Sequence, residues 1–227
     1  LEERPELGGE DRKVAVLFID VIGSTNFAVE NSPERVVEEL NRFFEHVVEV
    51  VHRNKGIINK FQGDAALAVF GAPLQVNDST SLALQAAREL RLELQGSELQ
   101  AGIGVAAGHV VAGHIGGADR FEYTVIGDAV NEAARLTELA KDTPGGVLTN
   151  ATTLKSANEV EQHRWTVMKS IELRGRPQDG TAGSADSVHD GGSRLDLPTL
   201  GFPTARGAMV ACRGRAVRWA APGCLLA

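Results

Sequence analysis

Cysteine is scarce: two residues in 227, Cys212 and Cys224, both near the C-terminal end. A disulfide framework or a cysteine-based zinc site is therefore not expected in the patterned part of the chain, and a reducing, cytoplasmic compartment is the natural setting. Basic clusters are lacking too. Lys and Arg total 23 against 30 Asp and Glu, a formal charge of -7, which argues against a nucleic-acid surface, where phosphates reward clustered cations. No apolar run approaches the roughly 20 residues needed to cross a bilayer, and no basic-then-apolar leader opens the chain, so no membrane segment is expected in it. Position 1 is Leu rather than Met. The sequence reads as part of something longer, with room upstream for a regulatory domain or a membrane tether. Ser-His-Asp and Cys-His arrangements are missing as well, so covalent nucleophilic catalysis has no foothold.

What is present is a soluble, globular pattern with 43% hydrophobic and 23% charged residues. Residues 1–12, polar and Gly/Pro-containing, read as a linker. Val14 to Ile19 reads as a buried strand that ends on Asp20 and the turn Gly23-Ser24-Thr25. Ser32-Pro33-Glu34 is a helix start, with Ser as cap and Pro in the first turn. Val36, Val37, Leu40, Phe43, Phe44, Val47, Val48 and Val51 follow at helical spacing. Residues 56–61 and 65–70 read as a hairpin turning at Gly63-Asp64. A helix over 79–95, a hairpin of 99–106 with 110–115 about Gly108, a strand over 121–126 and a helix from Gly127 to Lys141 come next. A short strand over 147–149, a short helix over 151–157 and a final hairpin over 165–176 complete the domain, 13–176. Interleaved helices and hairpins predict an α+β fold: a ferredoxin-like βαββαβ core with extra strands and helices, its mostly antiparallel central sheet flanked by helices. From Pro177 onward Lys, Glu and Ile vanish while Gly, Ala and Arg dominate. Residues 177–227 are expected to be a disordered or non-native tail.

Three polar features stand out. Asp20 sits at a strand end, Lys60 and Asp64 flank a hairpin tip, and Thr124, Asn131 and Arg135 cluster about a strand-to-helix junction. Two carboxylates at turn positions suit Mg²⁺ or Mn²⁺, hard cations that keep open positions for phosphate oxygens. Asn131 and Arg135, four residues apart, share one helical face, where Arg135 could offset charge on a phosphoryl oxygen and Asn131 could orient a ribose. Each residue alone has an ordinary alternative. Asp20 could cap the next helix, Asp64 could be a plain turn residue, Lys60 a solvated edge residue, and Arg135 a partner of Glu132, Glu138 or Asp128. His109 and His114 lack the partners of a metal site.

In combination the motifs resemble the class III nucleotidyl cyclases, the adenylyl and guanylyl cyclase catalytic domains. Phe18-Ile19-Asp20-Val21-Ile22-Gly23-Ser24-Thr25 resembles the family's first metal-binding motif, and Asn59-Lys60-Phe61-Gln62-Gly63-Asp64-Ala65 its second. Residues 123–136, Tyr123-Thr124-Val125-Ile126-Gly127-Asp128-Ala129-Val130-Asn131-Glu132-Ala133-Ala134-Arg135-Leu136, resemble the third. The resemblance spans about residues 12 to 176. It implies two divalent cations, Mg²⁺ or Mn²⁺, held by Asp20, Asp64 and the carbonyl of Val21. The amides of Gly23, Ser24 and Thr25 would approach a triphosphate, and Lys60 and Thr124 would read the purine. Asn131 would place the ribose, Arg135 would steady the reacting phosphate, and Arg174 or Arg176 would contact the triphosphate. Many adenylyl cyclases carry Asp where Thr124 stands, whereas guanylyl cyclases more typically carry Glu in place of Lys60. The implied reaction is therefore cyclisation of ATP to 3′,5′-cyclic AMP and pyrophosphate. It would run in a head-to-tail homodimer whose active sites lie at the interface. A guanylyl or relaxed-specificity cyclase, and a catalytically silent cyclase-like domain used for dimerisation or regulation, are the alternatives. The Gly-Gly-Asp/Glu-Glu-Phe signature of diguanylate cyclases is absent.

Overall fold

The computed structural model describes residues 8–117, 120–167, 171–173, 205–207 and 209–212. The chain starts in strand β1 (Gly8–Val21) and continues through helices α1 (Ser24–Glu30) and α2 (Pro33–Arg53). The hairpin β2 (Ile57–Gln62) and β3 (Ala65–Phe70), helix α3 (Ser79–Glu93) and the long strand β4 (Ala101–Gly116) follow. Next come β5 (Phe121–Ile126), α4 (Asp128–Lys141), β6 (Val147–Asn150), α5 (Ala151–Lys155) and α6 (Glu159–Gln162). Four short strands close the described chain: β7 (Trp165–Val167), β8 (Ile171–Leu173), β9 (Ala205–Gly207) and β10 (Met209–Cys212).

The main sheet has the order β2-β3-β1-β4-β6-β10-β7, with β5 also paired to β4. Its first four strands give the ferredoxin-like order, and every pair among them is antiparallel. Among the described residues only β4–β6 is parallel within the sheet, so the α+β architecture is as expected. Strand alternation divides β1 between two cores. Ala15, Leu17, Ile19 and Val21 pack with Phe43 and Val47 of α2 and Leu84 and Leu90 of α3. Val14 and Val16 face Ala129, Ala133 and Leu136 of α4. Asp20 shares the parity of Val14 and Val16, so it falls on the α4 side.

Local signals explain several elements. The Ser32 side chain accepts from the Arg35 amide and Pro33 opens α2, which leaves orphan first-turn donors partly satisfied. Val37, however, is exposed rather than part of the buried stripe. Glu161 is buried, accepts a two-pronged bond from Arg88 at 2.7 Å on each prong, and accepts from the Trp165 indole, tying α6 and β7 to α3.

Four expectations need correction. Residues 99–115 are not a hairpin about Gly108: β4 runs straight through, with Gly108 facing Val14 of β1, and the glycine lacks the positive φ of a turn. The first strand begins at Gly8, so residues 8–12 belong to the sheet rather than to a linker. Residues 165–176 are not a hairpin either. Strand β7 pairs β10, and β8 pairs β9. The C-terminal stretch is consequently not all loosely attached, since β10 sits between β6 and β7 with Val210 and Ala211 buried. Four residues are too few to display a period.

Helix α4 lies close on β4 because that strand presents glycines beneath it. A Cβ at Gly104 would stand 2.5 Å from the Thr137 amide nitrogen, and one at Gly102 would stand 2.5 Å from the Thr137 carbonyl oxygen. Backbone cannot yield there as a side chain could. Gly104→Val is expected to destabilise the fold by about 3 kcal/mol, read as a lowered denaturant midpoint at unchanged slope. An unchanged midpoint would contradict this packing.

Candidate active site

Asp20 lies at the end of β1, opposite Ala65 of β3 and Gly102 of β4. It does not cap α1, whose cap is Gly23 with no side-chain bond. Gly23 adopts φ 70°, a left-handed conformation that favours glycine, and the amides of Ser24 and Thr25 open the helix beyond it, where intrahelical acceptors are lacking. Asp64 follows Gly63 (φ 65°) in the two-residue β2–β3 turn, a place where a hairpin favours glycine first. The Val21 amide donates to the Asp64 carbonyl at 3.4 Å. Ladder and turn together bring Asp20, Val21 and Asp64 to one end of the sheet.

A cation already stands at this end. The Lys141 ammonium, on the last residue of α4, donates to Asp20 Oδ2 at 2.7 Å and to Glu138 at 2.9 Å. Burial alone would lower the Lys141 pKa, but the bonds to Asp20 and Glu138 outweigh it and hold the pKa above the ordinary lysine value. The donor set of two carboxylates and a carbonyl, with a positive charge seated on one carboxylate, fits a hard divalent cation.

Lys60 and Thr124 form a second group. Lys60 Nζ donates to Glu122 at 2.7 Å, and this bond is the main cause of a Glu122 pKa below the usual carboxylate range. Thr124 is buried, and its hydroxyl donates to Asn59 Oδ1 at 3.3 Å, while Asn59 Nδ2 donates to the Tyr123 carbonyl at 2.8 Å. These bonds lash the β2 edge to β5.

Asn131 and Arg135 stand one turn apart on α4 and are exposed. Among the described residues neither side chain makes a hydrogen bond or ion pair, so Arg135 is not tied to Glu132, Glu138 or Asp128. Helix geometry separates them from Asp20 of the same chain. The Thr137 hydroxyl, bonded to the Phe18 carbonyl, marks the sheet-facing side of α4. Arg135 lies two residues away, about 200° around the axis, and so points away from the sheet. Asn131 is ten residues before Lys141, about 15 Å along the axis. The fold thus unites Asp20, Val21 and Asp64, and separately Lys60 and Thr124, but does not bring Arg135 to the carboxylates. Arg174 and Arg176 lie outside the described residues. The sequence reading gave no role to Lys141 or Glu122 and named Asn59 only as the first residue of the second motif. Glu122 had one signal, its i, i+2 spacing from Thr124 on one strand.

The family model of the adenylate and guanylate cyclase catalytic domain matches residues 9–184. Proteins Rv1320c and Rv1319c of Mycobacterium tuberculosis are 52% and 53% identical to the chain over 178 and 179 residues, 78% of it in each case. The chain spans about a third of their lengths, 31% and 33%. Among solved structures, the guanylyl cyclase Cya2 superposes with a TM-score of 0.68 at 27% identity, covering 93% of this chain and 98% of that one. The adenylyl cyclase CyaB from P. aeruginosa shares the fold, with a TM-score of 0.66 at 20% identity over 93% of this chain and 100% of its own. On sequence motifs, fold and family match alike, the chain belongs to the class III nucleotidyl cyclases, the adenylate and guanylate cyclase catalytic domains.

Proposed function

We propose that this domain is an adenylyl cyclase, turning ATP into 3′,5′-cyclic AMP and pyrophosphate. The observation that carries the reading is how the fold sorts the motif residues. An oxygen-rich end holds Asp20, Val21 and Asp64, a separate pair of Lys60 and Thr124 is suited to a purine edge, and Asn131 and Arg135, whose side chains have no partner among the described residues, project from α4. Asp20, Asp64 and the Val21 carbonyl would hold two divalent ions, which when bound supply Lewis acidity at the ribose 3′-hydroxyl and the α-phosphate.

The protein's own groups do the positioning. The amides of Gly23, Ser24 and Thr25 face the triphosphate, and Arg174 is a further triphosphate contact suggested by the family motif. Lys60 donates to the adenine ring nitrogen, while Thr124 accepts from its amine. Asn131 orients the ribose and Arg135 offsets charge growing on the α-phosphoryl oxygens. The 3′-oxygen bonds to the α-phosphorus as the bond to the bridging oxygen of pyrophosphate breaks, and the hydroxyl proton passes to solvent. Lysine rather than glutamate at position 60 favours ATP. The likeness to the guanylyl cyclase Cya2 keeps GTP as the second reading. Complete metal and transition-state sets weigh against a silent domain.

Arg135 points away from the sheet that carries the carboxylates of its own chain, so a second copy is the natural source of the missing half. The β4–β5 arm supports this with the exposed apolar residues Val111, Ile115 and Ile126, which the strand register puts on one face of the arm, the kind of patch that marks an interface. The proposed assembly is a head-to-tail homodimer with two equivalent sites.

Three measurements test these statements. Wild-type protein with Mn²⁺ is expected to make cyclic AMP from ATP faster than cyclic GMP from GTP, and Asp64→Ala to make neither. Equal or greater GTP turnover would reject the ATP reading. Asp20→Ala and Arg135→Ala proteins should each be inactive alone and regain up to about a quarter of the activity when mixed, by random assortment of subunits into dimers of which half carry one intact site. Silence of verified heterodimers would reject the shared site. Lys141→Met should lower the half-saturating Mg²⁺ concentration several-fold, about 1 kcal/mol for a partly exposed competing ammonium. An unchanged or higher requirement would show that Lys141 does not compete there.

A further inference from the structure

The candidate base-reading group contains a residue whose geometry assigns it a task. Asn59 is the extra residue of a bulge in β2: Ile58 faces Ala68 and Lys60 faces Leu67, so Asn59 has no opposite number on β3. Bulges bend a strand and re-aim a side chain, and this one sends Asn59 across to the edge of β5. There its amide nitrogen donates to the Tyr123 carbonyl at 2.8 Å. A carbonyl can only accept, which leaves the amide one orientation. Asn59 Oδ1 is thereby turned towards Thr124, and the Thr124 hydroxyl donates to it at 3.3 Å. A hydroxyl carries one proton. Once that proton is committed to Asn59, Thr124 Oγ1 has only lone pairs left for any other group.

We infer that Asn59 is a positioning residue that sets the hydrogen-bond polarity of Thr124, making it an acceptor and so favouring a 6-amino purine over a 6-oxo purine. The inference rests on the proposed ATP reading. An exocyclic amine donates to the free lone pairs without disturbing Asn59. A 6-oxo group needs a donor, so Thr124 would have to release Asn59 Oδ1 and leave that half-buried oxygen without its partner. Lys60, anchored by Glu122 at 2.7 Å, still has donors to spare for a ring nitrogen. The two readers then ask for the same base by opposite means, one donating and the other accepting. At 3.3 Å the hydroxyl bond is longer than most of its kind, which points to a modest effect.

The test compares wild type, Asn59→Ala, Thr124→Val, Thr124→Ser and the Asn59→Ala/Thr124→Val double variant. Two readouts are used: kcat and KM for ATP and GTP with Mn²⁺, and displacement of a fluorescent ATP analogue by ATP or GTP at equilibrium. Asn59→Ala is expected to narrow the preference for ATP by about three- to tenfold, with the change in KM rather than in kcat. Thr124→Ser should keep the preference, and the double variant should narrow it no further than Thr124→Val alone. Should Asn59→Ala not fold, as judged by its melting curve, Asn59→Ser is the substitute, being too short to span both partners. A folded Asn59 variant with wild-type preference, beside a Thr124→Val that loses it, overturns the inference and leaves the ATP reading standing. A wild type that favours GTP, or neither nucleotide, in both readouts overturns both.

Discussion

The antiparallel ladder between β1 and β4 is the constraint on which the other parts depend. All fourteen residues of β1, Gly8 to Val21, have a facing partner on β4, and three further strands of the main sheet pair directly with one of these two. Strand β3 joins the free edge of β1 over Ala15 to Asp20, β6 joins β4 over Ile103 to Val105, and β5 joins β4 over Val111 to Gly116. Register is therefore strict. A slip by one residue would exchange the faces of β1, sending Val14 and Val16 to the α2–α3 side and Asp20 into the core. The buried apolar parity of the strand and the exposed end of the sheet together hold the carboxylate where it can be used.

Helix α4 is the second organising part, and its faces have different employers. The sheet side carries Ala129, Ala133, Leu136 and Ala140 against the glycine-lined floor of β4. Its C-terminal lysine reaches Asp20, and its outer face carries Asn131 and Arg135 away from the sheet. Close helix-to-sheet contact is what makes the rod stiff enough to separate these tasks. Side-chain knobs beneath it, in place of Gly102 and Gly104, would lift the helix and move all of them together.

Much of this was legible in the sequence where the signal is local. The run from Val14 to Ile19, the Ser32-Pro33-Glu34 start and the Gly63-Asp64 turn are decided by residues within a few positions of each other, and the structure has them where the pattern put them. The places of Asp20 and Asp64 at a strand end and a hairpin tip follow from the same signals. Gly108 misled because a glycine between two apolar segments looks like a turn, while β1 pairing straight across it decides otherwise. The bonds of Lys141 to Asp20 and of Asn59 to Thr124 join residues far apart in the chain, and only the register and curl of the sheet could reveal them. Strand β10 was hidden for a related reason: its identity comes from the slot between β6 and β7, not from its own four residues.

The Lys141–Asp20 pair also bears on when the domain becomes complete. Many small metal-binding domains are unfolded without their ion, so that folding and loading are one event. Here an internal ammonium balances Asp20 from the moment α4 docks. Any cation that binds this carboxylate therefore does so by exchange with a tethered ammonium rather than at a bare charge.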